Sequence, residues 1–168
     1  DPEPPLFLPA AISLSDIRIF DANFAPTDGY CLLLITEGRG FLEFTKNTAQ
    51  NTIQEDADLI DIHHHSLKKY SLFFFPLSKH WRLYLENAPW KFYLFFLSGS
   101  SISYYNKLFS DSAKEPFVIS GSSMLPVQLS HLYDALSDCK NDPLWLDEQL
   151  TSLLCLTIKE ARCHAQSS

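Results

Sequence analysis

PWKFYLFFLSG, residues 89 to 99, is the segment that decides the fold. Taken at a period of two, Trp90, Phe92, Leu94 and Phe96 line one face, and Tyr93, Phe95 and Leu97 beside Lys91 line the other. A strand with one face in water alternates apolar and polar side chains, whereas a strand covered on both faces need not. The segment therefore predicts a central strand with a packed layer on each side.

Working outward, strand-like stretches precede it in quick succession: IRIF from Ile17, YCLLLIT after PTDG, GFLEF after EGRG, then LIDIHHHSL, YSLFFFP and HWRLYL. Gly38 and Gly40 around Arg39 suit a tight reversal between two strands. TKNTAQNTIQEDAD reads as a long polar hairpin tip. Short strands separated by turn residues predict an antiparallel sandwich or barrel. Past Gly99 the period changes. SSISYYNKLFS suits a short helix and SAKEPFVIS an extended piece. MLPVQLSHLYDALSDCK places Leu125, Leu129, Leu132, Tyr133 and Leu136 on one helical stripe. Asp142 then suits an N-cap, with Pro143 at the first helical position. The last helix, PLWLDEQLTSLLCLTIKEAR, is apolar around much of its circumference, which suits either a dimer seam or a deep core shared with the sheet.

The expected fold class is α+β: an antiparallel β jelly-roll barrel followed by a C-terminal pair of antiparallel α-helices. Barrel interior and helices would cover the two faces of PWKFYLFFLSG. Residues 1–15 form an N-terminal arm, 16–122 the barrel and 123–168 the helical segment. Prolines lack an N–H donor, so Asp1 to Pro9 is expected to lie on the surface, with Leu6-Phe7-Leu8 as its apolar patch.

Composition excludes several classes. With 46% apolar residues the chain can build a sizeable core, and 13 Phe favour a β-rich interior over a bundle. A net charge of −7 repels phosphate backbones, so nucleic acid is not a partner of this chain alone. Cys31, Cys139, Cys155 and Cys163 lack metal-type spacing and read as reduced thiols of an intracellular, cytoplasmic protein. DPEPPLFLPAAISL lacks the basic start of a signal peptide, and no apolar run approaches the ~20 residues of a membrane helix. A start at Asp1 and an end in CHAQSS suggest a piece of a longer protein, or a processed one.

His80, Arg82 and Tyr84 share a face at period two. Inside a barrel they would offer a charged fork and two hydrogen-bonding rings to a polar ligand. The alternative turns that face to solvent, with Trp81, Leu83 and Leu85 inward. His63 and His65 also share a face, and His80 could join them on a metal. The cupin pattern nevertheless fails, because Ser66, Leu67, Lys68, Lys69 and Tyr70 follow where a Glu is needed. A solvated strand is the simpler account, and no metal is assigned. There is no G-x-S-x-G elbow, and five glycines leave little room for a phosphate loop. No catalytic residue, cofactor or enzyme activity is expected.

Three stretches, GYCLLLITEGRGFLEF, LKKYSLFFFPLSKHWRLY and PWKFYLFFLSG, taken in order, resemble the N-terminal effector-binding and dimerisation domain of AraC-type transcription regulators. The resemblance implies a cupin-like barrel that binds a small effector, often a sugar, and a homodimer formed through C-terminal helices. It also implies a DNA-binding helix-turn-helix domain in the full-length protein, absent from this chain. Ligand binding would then fall to Asn23, His80, Arg82, Tyr84, Trp90, Phe92 and Leu94, and the dimer seam to Leu146, Leu150, Leu153, Leu154 and Thr157. Leu94 stands where family members commonly have a second Trp, Phe96 where they often have His, and Asn23 where an Arg is common. Two alternatives stay open: a metal-dependent cupin enzyme using His63, His65 and His80, and a domain that only dimerises, its barrel filled by its own rings.

Overall fold

Two long strands carry the architecture. β3 (Tyr30–Thr45) and β6 (His80–Ser98) pair antiparallel from Tyr30↔Leu97 to Thr45↔His80. The computed structural model describes residues 3–45, 62–139 and 141–167; most of the expected hairpin tip, residues 46–61, lies outside them. The sequence predicts a reversal at EGRG and separate strands on either side of Glu86 to Pro89. Instead each pair of stretches is one continuous, bent strand. The cause lies at two glycines. Gly38 takes φ +87° against the Pro89 carbonyl, and a Cβ on Gly40 would stand 2.6 Å from Trp90 Cη2. Register shifts run from Ile35 to Gly40. Such bulges bend and twist a strand without turning it back.

β5 (Ser71–Pro76) pairs with the first half of β3, and β7 (Phe117–Val118) adds to β5. β1 (Phe7–Ser15) pairs with the second half of β6. On the other side of the bends, β4 (Ile62–Leu67) pairs with β3 and β2 (Ile19–Asp21) with β6. The order is β1-β6-β3-β5-β7, with β4 on β3 and β2 on β6, all antiparallel. The bends lay the two halves face to face. Trp81 meets Phe75 at 5.5 Å and Phe96 at 6.4 Å, and Phe44 meets Phe75 at 5.1 Å between ring centroids. The expected closed barrel is corrected here: among the described residues no ladder joins β1 or β2 to β4, β5 or β7, so the sheet folds over without closing.

Part of the expected arm joins the sheet at its edge. Residues 7–15 form an edge strand, and the register slips between Phe7 and Ala10, around Pro9. An edge strand needs donors on one side only, which is why it tolerates a proline. Ahead of it, Leu6 is buried, and Ser100 and Ser101 N–H groups donate to the Pro4 and Pro5 carbonyls at 3.0 and 2.9 Å.

Both faces of PWKFYLFFLSG are covered. Phe92, Leu94 and Phe96 face the folded-over half. Tyr93 and Phe95 meet Tyr133 of α2 (Leu125–Cys139) at 5.4 and 6.4 Å, and Tyr93 Oη donates to Ser130 Oγ. α1 (Ile102–Ser110) sets Phe109 edge-on to Phe74. α3 (Pro143–Ser167) runs antiparallel to α2: Gln128 Nε2 donates to Ser152 Oγ, and Ser123 Oγ to Glu160 Oε2. Asp142 caps α3 as expected, accepting from the Leu144 and Trp145 N–H groups at 3.1 and 3.2 Å. The fold is thus α+β with three helices after the main sheet, and no described helix is long and apolar enough to cross a membrane.

The residues expected to form the dimer seam lie within the core of the single chain. Leu150, Leu153, Leu154 and Thr157 are all 0% exposed within the single chain, and Leu146 packs partly buried against the same core. α3 packs against α1 and α2, and its His164 stacks on Phe117 of β7 at 4.4 Å, so its wide apolar face is used within the chain.

Candidate functional site

His80, Arg82 and Tyr84 occupy the outward face of β6, because Trp81 and Leu83 between them point into the fold. The barrel-interior placement is therefore corrected. The three side chains form a surface network instead. Arg82 Nε donates to Asp21 Oδ2 at 2.7 Å and Nη1 to Tyr84 Oη at 3.3 Å. Tyr84 Oη donates to Glu43 Oε1 at 3.4 Å, and Glu43 Oε2 lies 3.3 Å from His64 Nε2. His80 Nε2 stands 3.7 Å from Asp21 Oδ1, which also accepts the Asn23 backbone N–H at 2.9 Å. Burial works against ionising Asp21, but the Asn23 N–H, Arg82 and His80 outweigh it, and the carboxyl stays below its ordinary range. The Arg82 guanidinium, bonded to Tyr84 and Asp21, is pushed above its ordinary value. Arg82 already has its carboxylate, so the network does not call for a ligand anion.

The remaining predicted ligand residues divide. Asn23 and His80 border one small cavity of about 190 Å³ beside Trp81. Trp90, Phe92 and Leu94 are closed core, between 0% and 1% exposed. Trp90 rests on Phe92 at 5.3 Å, and its backbone N–H donates to Asp16 Oδ1 at 2.8 Å. The seven residues form no common site.

A better-built cavity, of about 340 Å³, opens between α1 and the end of the folded sheet, where β3, β4 and β5 meet. Strand parity explains its floor. Phe44 pairs with His63 across β3 and β4, while Phe73 and Phe75 share the inward parity of β5. Phe73 and Phe75 are stacked at 5.5 Å, and Phe44 stands edge-on to both, at 6.3 and 5.1 Å. His63 and His65 of β4 line one wall, Asn106 of α1 another, and Lys79 and Lys114 also border the cavity. Asn106 is held in place by donating Nδ2–H to the Phe74 carbonyl at 2.9 Å. Burial holds the His65 imidazole below its ordinary pKa, with Glu115 pulling the other way. The ion pairs among the described residues leave Lys79 and Lys114 without a carboxylate. The arrangement can hold a flat apolar body against the rings while polar groups stay at the mouth.

The cavity also separates the suspected metal ligands. His63 and His65 face it, but His80 lies on the opposite side of the sheet against Asp21. Among the described residues no three His, Cys, Asp or Glu side chains are placed to hold a metal. Cys31 is fully buried, and burial pushes its thiol well above the ordinary value, which leaves it inert.

Lys79, Lys114 and Asn106 were not singled out from the sequence. The available signal was parity: His63 and His65 sit on the same side as Phe73 and Phe75 once the β3–β4 register is known. No family model matches the chain, and no curated protein matches it.

Proposed function

We propose that this chain is the effector-sensing and dimerisation domain of a cytoplasmic, AraC-type transcription regulator. Its effector is a small organic molecule held in the cavity between α1 and the folded sheet. In this reading the bent sheet is a jelly-roll of the cupin kind left open at one end, and DNA contact belongs to the full-length protein. The observation that carries the proposal is the cavity itself: a floor of phenyl rings under a mouth of polar and basic groups, at the low end of the roughly 300–1,000 Å³ typical of small-molecule sites. A simple sugar is disfavoured as the occupant, because that floor lacks the directed polar groups a polyhydroxyl ligand requires.

The route from effector to response runs through α1. Its C-terminal part borders the cavity at Asn106 and Ser110, while Ser100 and Ser101, just ahead of its first turn, anchor Pro4 and Pro5. An effector that binds more tightly to one position of this helix shifts the arm with it, and only by that difference in affinity. The homodimer uses the outward surface of the α2–α3 layer, where Val127 and Leu144 are exposed, rather than the internal leucines.

Thermal-shift screening against sugars, alcohols and organic acids tests the site, since a ligand bound to the folded state raises the melting temperature by mass action. Ser110→Trp at the cavity wall should abolish the shift given by any hit. A hit that survives this change but is lost on Asn23→Ala with His80→Ala would move the site to the smaller cavity and sink the proposal.

A further inference from the structure

We infer that the cavity beside α1 takes an organic anion: a carboxylate joined to a flat aromatic body, with the body on Phe44, Phe73 and Phe75 and the carboxylate between Lys79 and Lys114. The inference rests on the cavity being the effector site and adds the chemistry of the ligand.

Three observations carry it. The first is the floor. Phe73 and Phe75 lie nearly parallel, 25° apart, while Phe44 stands at 73° and 84° to them. A further aromatic ring can extend a cluster of stacked and edge-on rings at centroid spacings of about 4.5–7 Å. A saturated chain would gain area but nothing from the ring geometry.

The second is the sign of charge at the mouth. The chain carries 20 acidic residues against 13 Lys and Arg, so its overall field repels anions. Yet among the described residues the cavity is bordered by Lys79 and Lys114 and by no acidic residue. The ion pairs among the described residues join Asp21 to Arg82 and His80, Glu43 to His64 and Asp111 to Lys107, and include neither lysine of the mouth. Glu115, next to Lys114, is near enough to act on His65 but does not pair with either lysine.

The third is what the cavity lacks. Among the described residues a cationic ligand would meet Lys79 and Lys114 with no carboxylate at the mouth. A neutral polyol would find one of the two Asn106 amide N–H donors already given to the Phe74 carbonyl and would leave both ammonium groups without a countercharge. A carboxylate, by contrast, adds the missing acceptor to two ammonium groups. Lysine serves this role as a flexible point charge, so the preference is for charge sign and not for bidentate geometry.

Calorimetric titration of the full chain with 3-phenylpropionate, 3-phenylpropan-1-ol and 3-phenylpropylamine separates the terms, because the three share a body and differ in charge. The acid should bind about tenfold tighter than the alcohol, and the amine weaker than both. Lys79→Met with Lys114→Met should erase that order while leaving the alcohol's affinity unchanged, and both exposed substitutions leave the core untouched. Equal affinities for all three would overturn the anion assignment and leave the cavity as effector site. An acid preference that survives the double substitution would also overturn it. Failure of all three to bind, in a protein whose melt is normal, would overturn both this inference and the site it rests on.

Discussion

Leu154→Ala distinguishes an internal α3 from one that is half of a dimer. Leu154 is 0% exposed within a single chain and shares its core with Leu150, Leu153 and Ile158. Truncating a fully buried leucine loses transfer free energy and leaves a cavity, together costing about 2–5 kcal/mol. For a domain of this length each kcal/mol lowers the melting temperature by about 2–4 °C, so a central cost near 3 kcal/mol gives a fall of roughly 6–12 °C. The assay is thermal unfolding by circular dichroism, wild type beside variant, at two protein concentrations about fiftyfold apart. An intramolecular leucine gives the same fall at both concentrations. A melting temperature that stays at the wild-type value when concentrated and drops only on dilution, with dissociation seen by sedimentation, would place Leu154 at a seam and refute the assignment.

Gly40→Ala should cost about 1–3 kcal/mol or more, since the new Cβ meets the Trp90 ring and the Tyr84 carbonyl; an unchanged urea midpoint would refute the close approach. His65 has a folded pKa below its ordinary value, so its neutral form contributes stability that is full above about pH 6.5 and is lost as pH falls through the folded pKa. His65→Leu should flatten that part of the stability profile, and a profile of unchanged slope counts against the burial of the imidazole. Asp21, also depressed, contributes above its ordinary value near 3.8 and loses the contribution as pH falls below it. Asp21→Asn should therefore soften acid unfolding while changing neutral stability by no more than about 1 kcal/mol, because Arg82 and His80 are partly in water. A loss several times larger at neutral pH would mean the network is part of the core.

The doubly buried strand was legible from residues 89–99, because period-two parity with apolar residues on both faces has few other meanings. The helices after Gly99 were legible for the same kind of reason, and Asp142-Pro143 marked the start of α3. Closure of the sheet was not. Whether Gly38 and Gly40 reverse a strand or bend it depends on where Pro89 and Trp90 lie, about fifty residues along the chain, and local composition carries no trace of that. The same limit explains the seam. A helix apolar on most of its circumference reads alike whether neighbouring helices of the same chain share it or a second copy does. For the site, parity put His80, Arg82 and Tyr84 on one face but not on which side of the sheet. The apolar Trp81 and Leu83 between them pointed outward for the polar set, and the resemblance pointed the other way. Lys79, Lys114 and Asn106 come from three separate segments, and only the fold brings them to one mouth.

A sheet that bends over itself without sealing keeps rims, and an unsealed rim invites other chains to add on. Among the described residues each rim carries a deterrent: β1 is interrupted by Pro9 and a slipped register, β2 and β7 are three and two residues long, and β4 presents consecutive imidazoles. The proline-bearing start of the chain thus guards against fibril-like stacking, an office separate from any part it plays in signalling.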